Sequence, residues 1–403
     1  MNWKTFSTLF LAIFASMLGQ GIVVPLLPVY AHEFGAAGFG IGIMFGIFSF
    51  SRTLFLPYFG SASDRKGKKP YITAGLLLYC LASVAYMFSR DVTALILVRF
   101  FQGIAAAMIM PVAQAYVGEI IPKGKEGFMM GLLNLSLYGG LSAGPVLGGT
   151  VRDTFGIRAA FVCMGILCFI AFMLSLLLLP PRHKEAPLSQ KRPPQRFMVL
   201  LRNRHLSGLF VFRFAATMCI GTIWSFGPLL AKTEFGLSSS QTGILIMFTV
   251  LISAVLTTPV GYLADRINKR FLITLGGFTT VLSMLLFAYA RRAWDLYVAS
   301  IVAGLGGAVS VPAMMAMAVI IGRAEKSMGS IISFLTMAHS LGMMTGPILA
   351  GIMIDLFDMR MTFLCVSVFM AMITMIFLPL TAQYEFIETR AQGSCNLTKG
   401  HED

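Results

Sequence analysis

Charge is scarce in this 403-residue chain. Asp, Glu, Lys and Arg make up 12% of it and hydrophobic residues 57%, where a soluble domain carries about 25% charged residues. Acid is scarcest: there are 17 acidic residues against 31 basic ones, and none stands in the middle of a long apolar run. Cysteine is also sparse. Cys80, Cys163, Cys168, Cys219 and Cys365 lie within apolar runs and Cys395 in the C-terminal tail. None has metal-ligand spacing, so buried packing is their expected role. No HExxH, GxSxG or phosphate-binding loop occurs, which argues against an enzyme and against nucleotide-driven work. No cofactor or metal is expected.

What the chain has instead is apolar length, with a mean hydropathy of +0.80. A helix needs about 20 predominantly apolar residues to span a bilayer. Segments of that kind fall near 6–30, 39–63, 71–89, 93–121, 127–151, 159–180, 206–231, 240–264, 271–290, 294–321, 329–354 and 361–382. The expected fold is an all-α polytopic membrane protein with 12 transmembrane helices. The N-terminal run is too long for a signal peptide and shows no small-residue cleavage site before Pro25 and Pro28, so it reads as the first membrane helix.

The net charge of +14 suggests a nucleic-acid partner, but its distribution argues for a bilayer. With alternate loops assigned to opposite sides, 21 of the 31 Lys and Arg fall on the side holding both termini and 7 on the other. The remaining three, Arg52, Arg99 and Arg213, lie within apolar segments. Positively charged loops stay inside, so both termini are expected in the cytoplasm.

The chain also repeats itself. Gly60-Ser61-Ala62-Ser63-Asp64-Arg65-Lys66-Gly67-Lys68-Lys69 is echoed by Gly261-Tyr262-Leu263-Ala264-Asp265-Arg266-Ile267-Asn268-Lys269-Arg270. The same offset relates Glu33-Phe34-Gly35 to Glu234-Phe235-Gly236, Gly103 to Gly304 and Pro111 to Pro312, and Gly144–Gly149 matches Gly346–Gly351 one residue further on. Between the copies, residues 181–205 are polar and basic with four prolines, which suits a cytoplasmic linker with a short helix near 195–203. The expected domains are therefore 1–180, a six-helix bundle; 181–205, the linker; 206–382, a second bundle; and 383–403, a cytoplasmic tail. Six helices is an even number, so the two bundles form a parallel repeat with a substrate site between them near midplane.

Three motifs resemble the major facilitator superfamily of secondary transporters, and the resemblance covers almost the whole chain outside the linker and tail. The first hairpin fits that family's G-x-L-x-D-R-x-G-R-K signature through Gly60, Asp64, Arg65, Gly67, Lys68 and Lys69, with Ala62 at the usual Leu position. The resemblance implies a cytoplasmic gate made of these residues and, from the second copy, Asp265 and Arg266. Because Asn268 replaces the glycine there, the second latch is expected to be weaker. A plain solvated basic loop is the alternative. Leu95 through Gly103 matches L-x-x-x-R-x-x-Q-G, whose Arg, here Arg99, the family associates with proton coupling; an Arg bonded to carbonyls would instead hold helices together. Gly140, Gly144, Pro145, Gly148 and Gly149 fit G-x-x-x-G-P-x-x-G-G, which within the family marks proton-linked exporters. Proline removes a helix hydrogen bond and favours a kink, while small residues also serve ordinary helix packing.

Proton coupling needs a titrating group inside the cavity, and the expected buried acid is missing. His339 lies about 12 residues, or about 18 Å, into its helix and is one candidate; a hydrogen-bonded packing histidine is the other reading. Glu119 and Asp153 are further candidates, and each also suits a helix cap or salt-bridge partner. Arg52, Gln102, Gln114 and Arg213 are the expected polar groups of the cavity. Three intramembrane cations without a midplane anion favour an anionic or neutral amphipathic substrate over a cationic one.

The resulting expectation is a monomeric secondary transporter of the bacterial inner membrane, in contact with the lipid bilayer, exchanging a small amphipathic organic molecule for protons. An importer or uniporter of an organic anion and a non-transporting membrane sensor with the same fold are the competing readings.

Overall fold

The computed structural model describes residues 3–120, 126–180, 197–264, 266–324 and 327–382, and among them the ordered secondary structure is helical throughout. In hydrocarbon no water can satisfy backbone polar groups, so an apolar chain of this kind must bond them within helices. The elements are α1 (Trp3–Glu33), α2 (Gly38–Lys66), α3 (Lys68–Phe88), α4 (Val92–Ile120), α5 (Glu126–Phe155) and α6 (Ile157–Leu178), followed by α7 (Phe197–Arg202). The second set is α8 (Arg204–Thr233), α9 (Ser239–Ala264), α10 (Lys269–Ala288), α11 (Ala293–Ala324), α12 (Met328–Leu356) and α13 (Met359–Leu380).

Among the described residues, eleven helices are long and apolar enough to cross a membrane. The twelfth long helix, α5, spans 30 residues; its seven glycines and its Asn134, Ser136 and Ser142 dilute the apolar run. The short α7 falls where the linker was expected to carry a helix.

The duplication is carried into packing. In the first set α1 lies against α5 and α6, α2 against α4, and α3 against α4 and α6; in the second, α8 lies against α12 and α13, α9 against α11, and α10 against α11 and α13. Even core rings correspond. Tyr86 stacks on Phe161 with centroids 5.2 Å apart, and Phe287 stacks on Phe363, also at 5.2 Å. Such offset pairs contribute beyond the area they bury.

Turn chemistry explains one difference between the copies. Gly67 joins α2 to α3 at φ +88°, a conformation that a side chain disfavours. The second hairpin uses Asn268 instead, whose side-chain oxygen accepts the N–H groups of Arg270 and Phe271 and caps α10. Asparagine is among the strongest N-cap residues, so the lost glycine is replaced by a different way of starting the helix.

The two bundles meet through α2 against α12 and α5 against α9. Helices α1 and α8 begin at one end of the molecule, the near end, and finish at the far end. The charged hairpins after α2 and α9 therefore lie at the near end. The starts of α2 and α9 and the finishes of α5 and α12 lie at the far end.

Candidate functional site

The far end is closed by a symmetrical contact. Asp153, near the finish of α5, accepts the backbone N–H of Ser239 at 2.9 Å and of Ser240 at 2.8 Å, and the Ser240 hydroxyl at 2.7 Å. Asp355, near the finish of α12, accepts the N–H of Gly38 at 2.6 Å and of Phe39 at 2.8 Å. Each carboxylate sits on the free amide groups at the start of a helix in the other bundle, where the helix dipole also favours negative charge.

Glycines let the backbones approach closely enough for this. A Cβ at Gly149 would stand 2.5 Å from the Ser239 carbonyl carbon, and one at Gly351 would stand 2.7 Å from that of Gly38. Gly243 and Gly42 face Pro145 and Pro347 with equally little room, at 2.6 and 2.9 Å from their carbonyl carbons. The motif glycines thus divide their work. Gly140, Gly144 and Gly148 lie on α1, against Met17, Gly21 and Ile22, whereas Gly149 faces the other bundle.

Sequence reasoning reads Asp153 as a coupling candidate that also suits a helix cap, and gives Asp355, another acid at a helix end, no role. The signal was available, because Asp153 follows Gly149 by four residues and Asp355 follows Gly351 by four. An isolated acid at a helix end does not reveal that its partner is the start of another helix far away in the chain.

At the near end the charged hairpin is bonded within its own bundle. Lys68 is buried and pairs with Asp64 at 3.3 Å and with Glu119 at 2.6 Å, tying the start of α3 to the finish of α4. Arg65 is exposed, Lys69 half-buried, and a Cβ at Gly60 would meet nothing within 4 Å. In the second copy Arg266 lies over the Tyr262 ring, 4.4 Å from its centroid, and bonds that residue's hydroxyl. Asp265 falls outside the described residues. The gate residues thus form two separate groups, with no described bond between them.

Between these ends lie the intramembrane cations. Arg99 is 2% exposed, with its guanidinium over Phe45 at 4.8 Å and Phe48 at 5.4 Å. It donates to the Gln102 carbonyl oxygen at 3.1 Å, and the Tyr86 hydroxyl donates to the same oxygen at 2.8 Å. Aromatic faces and a shared amide oxygen thus accommodate a charge that bare hydrocarbon would not. This node joins α2, α3 and α4, and Gln102 is fully enclosed in it.

Arg52 on α2, Arg213 on α8 and His339 on α12 are placed differently. All three are half-buried, and Arg52 and Arg213 both act electrostatically on His339. Tyr138 of α5 is within electrostatic reach of Arg213, and Tyr79, whose hydroxyl donates to Gln20 at 3.2 Å, is within reach of Arg52. Both bundles therefore contribute basic side chains, two arginines and a histidine, to the membrane interior. Gln114 is exposed on α4. The described ion pairs involve Lys68, Arg152 and Arg360, so Arg52, Arg99 and Arg213 have no carboxylate in them. No metal-binding group of His, Cys, Asp or Glu occurs among the described residues.

Comparison with known proteins gives a consistent result. The model of the Major Facilitator Superfamily matches residues 9–290 and 209–391. An uncharacterized MFS-type transporter of Methanocaldococcus jannaschii is 28% identical over 357 residues, covering 88% of this chain and 92% of its own. The multidrug resistance protein MdtG of Dickeya zeae is 25% identical, covering 90% and 91%. The quinolone resistance protein NorA of Staphylococcus aureus is 26% identical, covering 88% and 91%. Among solved structures, a bacterial homologue of the human lysosomal transporter Spinster, in an inward-facing and occupied conformation, superposes with a TM-score of 0.82 at 13% identity over 95% of this chain and 97% of its own.

Proposed function

Since the chain belongs to the Major Facilitator Superfamily, we propose that it works by alternating access and exports a small amphipathic organic compound in exchange for protons. The observation that carries this reading is the placement of the Arg52, Arg213 and His339 group between two bundles that are bonded together at their far end, through Asp153 and Asp355. Two bundles joined at one end can rock about the group, closing the near end as the far end opens.

Orientation follows from charge. Basic loops concentrate on the side of both termini, which supports a cytoplasmic position for that side in a bacterial-type inner membrane. The far end then faces away from the cytoplasm, and the conformation described is the one in which an exporter loads from the cytoplasm. The printed names of MdtG and NorA, both resistance proteins, support the outward direction.

Roles can be assigned to the candidate residues. Asp153 serves closure of the far end, with Asp355 as its counterpart. Glu119 holds Lys68, and with Asp64 it keeps the first hairpin rigid. That hairpin, Gly60 to Lys69, forms the cytoplasmic gate when the near end closes, together with Asp265 and Arg266. Arg99 stiffens the first bundle beside the cavity. His339 is the titratable group that faces the cavity and carries the proton. An importer of organic anions would use the same cavity, and only the gradient dependence separates the two.

The test is accumulation in proteoliposomes of known orientation under an imposed pH gradient. Export coupled to protons predicts uphill movement of the substrate against proton flow, collapsing when the gradient is dissipated. Movement indifferent to the gradient would remove the coupling, and movement in the same direction as protons would make the protein an importer.

A further inference from the structure

We infer that the cavity group Arg52, Arg213 and His339 is the seat of a substrate's anionic headgroup, a carboxylate or an equivalent oxyanion. This inference rests on the transport reading above and specifies the chemical class of the compound carried.

The argument begins with cost. A guanidinium within a bilayer is costly unless it is paired or reaches water. Arg99 is accommodated by two aromatic rings and an amide oxygen inside its own bundle. The Nε and Nη2 of Arg99 are buried without a hydrogen-bond partner, as are the Nε of Arg213 and Nδ1 of His339, but no ring face or amide oxygen is described against the Arg213 guanidinium. All described acidic residues stand within a turn or so of helix ends, so no carboxylate of the described protein reaches these groups.

The three residues also lie at comparable depths. Counting from the near ends of their helices, Arg213 is 9 residues in, His339 is 11 and Arg52 is 14, depths of about 14, 16 and 21 Å. They come from three helices, α2 in one bundle and α8 and α12 in the other, so a bound anion would touch both halves of a protein that moves by changing their relation. Arginine presents a fork of donors matched to a carboxylate.

The remainder of the ligand has a place as well. Trp224 follows Arg213 by 11 residues on α8, about three helical turns, which puts it on the same face about 16 Å nearer the far end. It packs with Leu141 against Val24, Ile246 and Val250, a small apolar cluster drawn from both bundles. Its indole Nε1 is also buried without a partner. A molecule with its anion at Arg213 and an apolar body directed toward Trp224 fits this gradient from charge to grease, whereas a cationic amphiphile would bring a third positive charge beside Arg52 and Arg213.

The test uses three amphiphiles with one scaffold: naphthylhexanoate, naphthylhexanamide and naphthylhexylamine. Equilibrium binding is measured on the purified full chain in lipid nanodiscs, with empty nanodiscs correcting for partition. The carboxylate is expected to bind about tenfold or more tighter than the amine, with the amide between them. Arg213→Gln should weaken the carboxylate by about tenfold or more, as loss of a hydrogen bond to a charged group does, and leave the amide within about twofold. Trp224→Ala should weaken all three alike.

Should Arg213→Gln not yield folded protein, Arg52→Gln is expected to show the same selective loss, Arg213→Lys should retain the preference, and the wild-type ranking still decides. An amine bound as tightly as the carboxylate, absence of binding by all three, or an unchanged carboxylate affinity in a folded Arg213→Gln would overturn the inference. Selective carboxylate binding without transport in proteoliposomes would uphold the anion site and defeat the export reading. Export of the amine alone would do the opposite.

Discussion

Asp153 and Asp355 are the same residue of a repeated unit and make the same contact in opposite directions. Asp153 reaches from α5 to the amide groups of Ser239 and Ser240, and Asp355 reaches from α12 to those of Gly38 and Phe39. Each bundle therefore gives one carboxylate and receives one, so the far end is fastened by two equivalent contacts related by pseudo-symmetry. Both must release for that end to open.

Removing one of these carboxylates should shift the conformational balance. Replacing an N-cap acid by Ala costs about 1 kcal/mol, or roughly fivefold in an equilibrium. Asp153→Ala and Asp355→Ala should each raise the far-end-open population by about that factor, and the double variant by their product, because the sites are distinct. Spin-label distances across the far end would measure this. Equal populations in wild type and double variant would show that the contacts do not hold the end closed.

The glycines beneath the latch should resist even a methyl group. Gly42→Ala and Gly243→Ala each place a Cβ against a proline carbonyl of the opposing bundle, at 2.9 and 2.6 Å from its carbon, well inside normal contact. Both should slow transport and open the far end further than either aspartate variant. Gly60→Ala, with nothing near its Cβ in this conformation, should leave the far end unaffected. Solvent accessibility of cysteines placed at the far end reads all three.

Arg99 should not tolerate Lys. The substitution keeps the charge but loses the flat face lying over Phe45 and Phe48 and the bond to Gln102. Cation–π contacts contribute about 0.5 to 2 kcal/mol, so Arg99→Lys should lower thermal stability in detergent and Arg99→Ala should lower it more. A Lys variant as stable as wild type would mean that charge alone is needed at this position.

His339 and Glu119 are separable by coupling. His339→Gln keeps polarity and removes the proton site, so it should still equilibrate substrate but not accumulate it under a pH gradient. Glu119→Gln removes only one partner of Lys68, leaving Asp64 at 3.3 Å, and should reduce stability while preserving the gradient dependence. Uphill transport in proteoliposomes checks both. Unchanged accumulation by His339→Gln would leave that histidine structural, facing Arg213 and Arg52 without carrying protons.

The charge and hydropathy of the sequence determined a helical membrane protein, and the repeat from Gly60–Lys69 to Gly261–Arg270 determined two bundles of like topology. Both are legible because they depend on local composition: a run of apolar residues must be helical in lipid, and a duplicated segment folds in the same way twice. The sequence also marked Arg52, Arg99 and Arg213 as unusual, since a cation within an apolar run is conspicuous wherever it packs. Tertiary structure alone decided what became of them. Arg99 is enclosed by rings from α2, whereas Arg52 and Arg213, remote in the chain, both come within electrostatic reach of His339. It likewise turned Asp153 and Asp355 into a paired closure. Whether a carboxylate titrates, caps or latches depends on which helix start lies a few ångströms away, and that neighbour is set by the packing of one bundle against the other.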